Sequence, residues 1–280
     1  MTITGTTKLA GVIGWPVEHS RSPLLHNHWC ASHDIDGAYV PLPVPPGSLD
    51  VALRGLQAAG FRGINVTIPH KEDAFRFVDR KTQSALRAGA VNTIVFEDDG
   101  TTTGDCTDGK GFLANLHAHG VGNSRHAMIL GAGGAARAVA AALLDSGCRI
   151  TIANRTLQRA IALRDALEGG EVVEWDAWPG QLASCDLLVN ATSLGLGGSA
   201  GYDWSGSLSG AAPDLIVSDV VYVPLMTPLL QAARMRDLKI VDGLGMLIQQ
   251  ARAGFNAWFG ILPQVDDTAR ALLLHSLNGD

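Results

Sequence analysis

The run Met128-Ile129-Leu130 passes without interruption into Gly131-Ala132-Gly133-Gly134-Ala135-Ala136-Arg137, and an alanine-rich stretch continues to Ser146. An apolar strand, a glycine turn and a helix in direct succession commit this part of the chain to a βα unit of a parallel sheet. In the pattern Gly131-x-Gly133-x-x-Ala136, Gly131 permits the tight turn, Gly133 lets the backbone approach a pyrophosphate, and Ala136 keeps helix and strand close. The helix N-terminus adds amide donors and a partial positive charge for the phosphates. The plain alternative is a tight βα turn with no ligand; the strand before it and the helix after it favour the dinucleotide.

Short apolar runs alternate with helix-like runs along the rest of the chain, which points to an α/β fold. Strands are expected at Lys8–Ile13, Ala38–Pro43, Gly63–Ile68 and Ala90–Phe96, with Asp98-Asp99-Gly100 as a hairpin turn into Thr101–Thr103. A helix is expected from Pro23 with Ser22 as its N-cap, and another over Leu49–Ala59, closed by Gly60. The character changes at Asp108, where a helix opens that runs to about His119. From His126 the pattern is strand, glycine turn, helix Ala135–Ser146, strand Arg149–Asn154 and helix Leu157–Leu167. Further strands follow at Asp186–Asn190, Asp214–Asp219 and Lys239–Asp242, which is the rhythm of a Rossmann domain. Two closing helices, Leu244–Phe259 and Asp267–Leu277, are expected to pack back at least in part on the first domain. The fold class is therefore α/β with two domains: an N-terminal α/β domain over residues 1–107 completed by helices in 243–280, and a Rossmann-type domain over 108–242.

The strand after the glycine turn chooses the dinucleotide. NAD-binding folds place an acid at its end, about 20 residues on, for the ribose 2′-hydroxyl. Here the strand ends in Ala153-Asn154-Arg155-Thr156, with no acid. The guanidinium fork of Arg155 suits a 2′-phosphate, Thr156 can add a hydroxyl, and Arg159 lies four residues on, on the same side of a starting helix. NADP is therefore favoured over NAD. The competing reading makes Arg155 and Arg159 solvated charges at a helix end.

Composition removes several classes. With a net charge of −6 over 280 residues the chain lacks the excess of basic residues that a nucleic-acid surface needs. No run of 18 apolar residues suggests a membrane span, and the first residues lack a signal-peptide pattern. Cys30, Cys106, Cys148 and Cys185 are scattered without a CxxC pair and read as reduced thiols of a cytoplasmic protein. His19, His26, His28 and His33 cluster, but without the compact Cys, His or carboxylate set of a metal site, so no metal is expected.

In the first domain the polar residues sit where strands end. Ser20 and Ser22 flank the first helix, Thr67 and Lys71 follow the third strand, Asn92 interrupts Ala90-Val91-Asn92-Thr93, and Asp108 starts a helix. Hydroxyl, amide, ammonium and carboxylate groups together suit a small polyhydroxy acid, bound at the carboxyl ends of the strands. Ser22 also reads as a cap. Asp108 also reads as a helix N-terminal acid favoured by the dipole, and the residues alone do not choose between these roles.

Taken in order, the motifs resemble the shikimate dehydrogenases of the shikimate/quinate dehydrogenase family over nearly the whole length. The segments that carry the resemblance begin with Ile13-Gly14-x-Pro16-x-x-His19-Ser20-x-Ser22-Pro23-x-x-His26-Asn27, Asn65-Val66-Thr67-x-Pro69-x-Lys71, Gly89-Ala90-Val91-Asn92-Thr93 and Thr107-Asp108-Gly109. They continue with Gly131–Arg137, Asn154-Arg155-Thr156, Asn190-Ala191-Thr192-Ser193, Asp219-Val220-Val221-Tyr222-x-Pro224 and Gly243-x-Gly245-Met246-Leu247-x-x-Gln250. One departure is visible: the family often has Asn where Cys106 stands, in the loop that leads to Asp108.

The resemblance implies reversible reduction of 3-dehydroshikimate to shikimate with NADPH. It implies that Ser20 and Ser22 bind the substrate carboxylate, that Thr67, Asn92 and Asp108 hold ring hydroxyls beside Lys71, and that Gln250 and Tyr222 contact the substrate. Cofactor contacts are implied for Gly131, Ala132, Gly133, Gly134, Ala135, Asn154, Arg155, Thr156, Arg159, Thr192, Val220 and Gly243, the last near the nicotinamide. Lys71 is the expected proton donor, with Asp108 favouring its charged form. His70 is the rival acid, and His19 and His26 are expected to cap or pack. Three rivals stay open: a quinate/shikimate dehydrogenase using NAD or both cofactors, a related dehydrogenase acting on an amino-substituted ring, and a dinucleotide-binding sensor without catalysis. The expected partner is a small-molecule substrate, and the expected assembly is a monomer or homodimer.

Overall fold

The computed structural model describes residues 3–198 and 201–278. The chain forms two compact units, one from the segment ending at Thr107 together with the segment starting at Leu247, the other from Asp108–Met246.

The first unit is built on strands β1 (Lys8–Gly14), β2 (Gly37–Pro43), β3 (Gly63–Val66), β4 (Arg80–Lys81), β5 (Thr93–Phe96) and β6 (Thr102–Asp105), in sheet order β2-β1-β3-β5-β6-β4. Between them run helices α1 (Ser22–Ser32), α2 (Leu49–Ala58), α3 (Lys71–Phe77) and α4 (Gln83–Ala88). β1 is parallel to β2 and β3, whereas β5 is antiparallel to both β3 and β6. This mixture brings the carboxyl ends of β1, β3 and β6 and the amino end of β5 to one edge of the sheet. Strand β3 stops two residues before the expected Ile68, at the cis Ile68–Pro69 bond, and β5 begins at Thr93, so Ala90–Asn92 is loop rather than strand. Ser22 is not the N-cap of α1. That position is Arg21, and the oxygen that meets the Ser22 N–H is Ser20 Oγ at 3.3 Å.

The second unit begins with α5 (Asp108–Ala118). It continues through β7 (His126–Leu130), α6 (Gly134–Asp145), β8 (Arg149–Ala153), α7 (Leu157–Leu167), β9 (Glu171–Val173) and β10 (Leu187–Asn190). After these come α8 (Trp204–Ser207), β11 (Ile216–Asp219), α9 (Pro228–Arg234) and β12 (Lys239–Val241). All six strands are parallel, in order β12-β11-β10-β7-β8-β9, so the winding reverses between β7 and β10. That is the switch point at which α/β sheets of this kind take up ligands. Helices α10 (Leu244–Phe259) and α11 (Asp267–Asn278) end the chain, and the division between the units falls inside α10. Helices α3, α4, α8 and α9 and strands β4 and β9 fall outside the elements expected from the sequence pattern.

Within the first unit the distal half of α10 lies on the sheet. Trp258 Nε1 donates to the Ile94 carbonyl at 3.0 Å, and a methyl on Gly63 would run into both groups. His26 from α1 is fully buried in this aromatic layer, stacked on Tyr39 with ring centroids 4.0 Å apart and edge-on to Trp29. Neither ring nitrogen of His26 meets a hydrogen-bond partner among the described residues. All four cysteines are buried free thiols, and burial pushes Cys30 and Cys148 up to about 11. No helix among the described residues is long and apolar enough to cross a membrane.

Burial lowers His26 from 6.5 to about 3, so the native state keeps the ring neutral while the unfolded chain protonates. The contribution of this group is complete above pH 6.5 and is lost as pH falls through that window. Each unit of pH there costs about 1.4 kcal/mol. Comparing denaturation midpoints of the wild type and His26→Phe across this range should isolate a one-proton slope in the wild type; parallel profiles would contradict it.

Candidate functional site

Two groups of side chains stand out, one in each unit. In the first, the sheet edge defined above collects Ser20 and Ser22 after β1, Thr67 and Lys71 after β3, Asn92 before β5 and Thr107 after β6. Backbone bonds fix them: Thr67 N–H to the Ile13 carbonyl (2.8 Å), Trp15 N–H to Ile68 (3.0 Å), Val66 N–H to Asn92 (2.8 Å) and Val91 N–H to Lys71 (2.9 Å). The Thr67 methyl covers Gly14 so closely that a Cβ there would stand 2.5 Å away.

Asn92 is the centre of this group and is 2% exposed. Its Oδ1 accepts from the Thr107 N–H (2.9 Å) and the Thr93 hydroxyl (3.1 Å), and its Nδ2 donates to Thr107 Oγ1 (2.9 Å) and Gln250 Oε1 (3.1 Å). The amide orientations are set by unambiguous partners: a backbone N–H faces Asn92 Oδ1, and Gln250 Nε2 donates to the Leu247 carbonyl at 3.0 Å. Behind it, the Tyr39 hydroxyl donates to Asn65 Oδ1 at 2.6 Å, and Asn65 Nδ2 reaches the Asn92 carbonyl (3.0 Å) and Thr93 Oγ1 (3.1 Å). Thr107 and Tyr39 are not among the site residues expected from sequence, whereas Asn65 opens the strand-end segment Asn65–Lys71 expected to present Asn, Thr and Lys to a small polar molecule. The signal for Thr107 was its place in Thr107-Asp108-Gly109, and for Asn65 its place in Asn65-Val66-Thr67.

The two candidate acids separate. His70 is fully buried and its Nε2 lies 2.7 Å from the Val44 carbonyl, a contact in which the ring nitrogen donates. Lys71, the first residue of α3, is half-buried. A cavity of about 460 Å3 between the head of α1 and the end of α11 is lined by Val17, Arg21, Pro41 and His275. Of the predicted substrate residues it includes Ser20 but not Thr67, Lys71 or Asn92. Asp108 directly follows Thr107 in the chain; it is buried at the start of α5 and belongs to the second unit.

In the second unit the glycine turn behaves as two different positions. Gly131 has φ +114°, and a Cβ would stand 2.9 Å from the Ala191 carbonyl, so the fold itself requires glycine. Gly133 is the N-cap of α6 with φ −88°, and a Cβ would meet nothing within 4 Å. The chain gives no reason for glycine there; the open space fits a ligand that comes close to the backbone. The first intrahelical bond of α6 runs from the Arg137 N–H to the Gly133 carbonyl (2.9 Å), so the amides of Gly134, Ala135 and Ala136 precede it. Asn154 Nδ2 donates to the Thr156 carbonyl (2.8 Å) and shapes the β8–α7 turn, leaving Arg155, Thr156 and Arg159 exposed at its mouth.

Asn190, at the end of β10, accepts from the Thr192 N–H (3.1 Å) and the Thr192 hydroxyl (2.7 Å), so that hydroxyl is engaged within its own loop. Gly243 packs against the Val220 carbonyl, where a Cβ would stand 2.5 Å away. Tyr222 is half-buried in the loop after β11. Among the described residues no group of three His, Cys, Asp or Glu is placed to hold a metal ion.

A doubly wound parallel sheet with a bare Gly133 and an Arg155–Thr156 mouth, joined to a unit with a polar sheet edge, defines the class of dinucleotide-dependent dehydrogenases. Three family models match along the chain: the shikimate dehydrogenase substrate binding domain over residues 12–94, shikimate / quinate 5-dehydrogenase over 114–195, and the shikimate 5′-dehydrogenase C-terminal domain over 243–273. A shikimate dehydrogenase (NADP(+)) of Gluconobacter oxydans is 64% identical over 278 residues, covering 99% of each chain. The crystal structure of shikimate 5-dehydrogenase from Thermus thermophilus in complex with NADP(H) and shikimate is 35% identical, with a TM-score of 0.85 over 95% of this chain and 99% of that one. Quinate dehydrogenase from Corynebacterium glutamicum in complex with NAD is 31% identical, with a TM-score of 0.84 over 96% and 99% of the two chains. The chain belongs to the shikimate dehydrogenase (NADP+) family.

The two glycines should part experimentally. Gly131→Ala is expected to lower stability by roughly 1–3 kcal/mol through strain and overlap, whereas Gly133→Ala should leave it within about 0.5 kcal/mol. Chemical denaturation measures both, and equal losses would refute the distinction.

Proposed function

We infer that the chain catalyses the NADPH-dependent, reversible reduction of 3-dehydroshikimate to shikimate, a step of aromatic amino-acid biosynthesis. The observation that carries this reading is the sheet edge holding Ser20, Ser22, Thr67, Lys71, Asn92 and Gln250, inside a family whose relatives carry this activity. The Ser20 and Ser22 hydroxyls take the substrate carboxylate, and Thr67, Asn92 and Asp108 take ring hydroxyls, with Gln250 and Tyr222 as further contacts. Both Nδ2 hydrogens of Asn92 are engaged, so a ring hydroxyl that binds it replaces Gln250 or Thr107.

The cofactor, when bound, supplies the hydride. Gly131–Ala135 receive its pyrophosphate, Asn154, Arg155, Thr156 and Arg159 the 2′-phosphate side, and Thr192, Val220 and Gly243 the nicotinamide side. Lys71 gives a proton to the developing alkoxide and takes it back in the oxidation direction. Its ammonium also stabilises the negative charge that forms on that oxygen. Asp108 supplies the carboxylate that favours the charged ammonium. The site works in the cytoplasm on a small-molecule substrate, with a monomer or homodimer as the assembly.

Spectrophotometric reduction of NADP+ by shikimate is the direct test. Turnover with shikimate, and kcat/KM clearly higher with NADP+ than with NAD+, is the expected result. A preference for quinate with NAD+ would favour the second reading, which the likeness to quinate dehydrogenase keeps in view. Cofactor binding without turnover would favour a sensor. Lys71→Ala should lower kcat by roughly 10²–10⁴-fold while the Kd for NADPH stays within about twofold. Gly133→Ala should do the reverse and weaken NADPH binding by about tenfold or more. A Lys71→Ala enzyme with near-normal kcat would remove Lys71 from the proton-donor role.

A further inference from the structure

Asp219 closes β11 with its carboxylate 1% exposed. Oδ1 accepts from Asn190 Nδ2 (3.0 Å) and the Val221 N–H (3.0 Å), and Oδ2 accepts from the Thr227 hydroxyl (2.7 Å). The three donors stand at the end of β10, in the loop after β11 and at the N-cap of α9. Val221 and Thr227 bracket the loop that carries Tyr222, so one carboxylate ties that loop at both ends. Asn190 extends the tie to Thr192 and, through Nδ2, to the Leu194 carbonyl at 3.1 Å. The two loops then join each other through the Gly197 N–H and the Val223 carbonyl at 3.0 Å.

We propose that Asp219 is a positioning residue for the dinucleotide: its carboxylate holds the backbone after β10 and β11, and with it Thr192, Val220 and Tyr222, in the arrangement that the nicotinamide half of NADP+ requires. The proposal rests on the NADP reading above.

Three donors converge on this side chain, and only an acceptor-only group satisfies them all; an amide offers one acceptor oxygen and presents hydrogens where Thr227 donates. The fold gains nothing from the charge. Burial pushes the carboxyl up to about 6, and the three hydrogen bonds hold it down only in part. Among the described residues, the three groups that donate to it are all neutral. Beside it in the sheet, Lys239 at the start of β12 donates from Nζ to the Gly120 carbonyl (3.2 Å), and the Asp242 carboxylate just after β12 accepts from the Leu244 N–H (3.0 Å). A buried carboxylate with no cation weakens the fold it sits in, which marks the position as one kept for what it holds in place. On protonation one oxygen becomes a donor and faces the Thr227 hydroxyl, which must then turn away. Asp219→Asn imitates that protonated form at every pH.

NADP+ binding to the full-length chain, measured by calorimetry, tests this. The 2′-phosphate of the ligand titrates in the same range, so the quantity to read is the ratio of Kd values, Asp219→Asn over wild type, at each pH. The expected ratio is about five to ten at about pH 8, where the wild-type carboxylate is charged, falling towards about one at about pH 5.5. A ratio near one throughout, or an equal ratio at both pH values, overturns the proposal. Thr227→Val removes one donor and leaves the carboxylate; it should weaken NADP+ binding about threefold at about pH 8. If Asp219→Asn fails to fold, an unchanged Kd in Thr227→Val overturns the proposal. Binding is read without turnover, so a chain that binds NADP+ but does not oxidise shikimate fails the proposed reaction alone. A wild type that does not bind NADP+ overturns both.

Discussion

The side chain of Asn92 ties together parts of the first unit that lie far apart in sequence. Its amide group reaches Thr93 at the head of β5, Thr107 after β6 and Gln250 on helix α10, and its backbone carbonyl accepts from the Val66 N–H at the end of β3. Each bond is buried, so each lost partner would leave a desolvated donor or acceptor, a cost of about 1–3 kcal/mol. The network places Thr107 and Gln250, while Thr67 and Lys71 beside it are placed by backbone bonds to Ile13 and Val91. The mixed sheet makes this possible. Because β5 runs against β3 and β6, its first residue lies at the edge where the other two strands finish.

The second unit solves the same problem by different means. A wholly parallel sheet sends every loop after a strand to one edge, so position comes from turn geometry. Gly131 fixes the first turn by a conformation only glycine adopts easily, and the Asn190–Asp219–Thr227 bonds fix the later loops by side chains. Close packing of α5 on α6 completes the layer: a Cβ on Gly109 would stand 2.6 Å from the Ala138 carbonyl.

Much of this was legible before any coordinates. The long elements were clear because their apolar pattern repeats several times; Leu157–Leu167 and Leu244–Phe259 fall where the pattern placed them. The short ones were not. Lys71–Phe77 and Pro228–Arg234 are too brief for a period to show, although the second carries a local sign in Thr227-Pro228, a cap followed by proline at the first turn. Ser22 was misplaced by one position because a serine before a proline looks like a cap, while the oxygen that meets its N–H comes from Ser20. The hydrogen bonds of Asn65, Tyr39 and Thr107 were out of reach for another reason: each depends on a partner distant in sequence that only the folded sheet brings near. His70 and Lys71 are neighbours in sequence, and only the Val44 carbonyl tells them apart.

The cysteines have a practical consequence. Cys30 and Cys106 are buried in the first unit, Cys148 and Cys185 in the second. Burial keeps Cys30, Cys148 and Cys185 in the thiol form, the unreactive one. Alkylation of any of the four buried thiols, Cys106 included, must wait until the surrounding structure opens, so its rate is a clock for that opening. Two such clocks sit in each unit, and mass spectrometry of one reaction could time the local unfolding of each separately in a single chain.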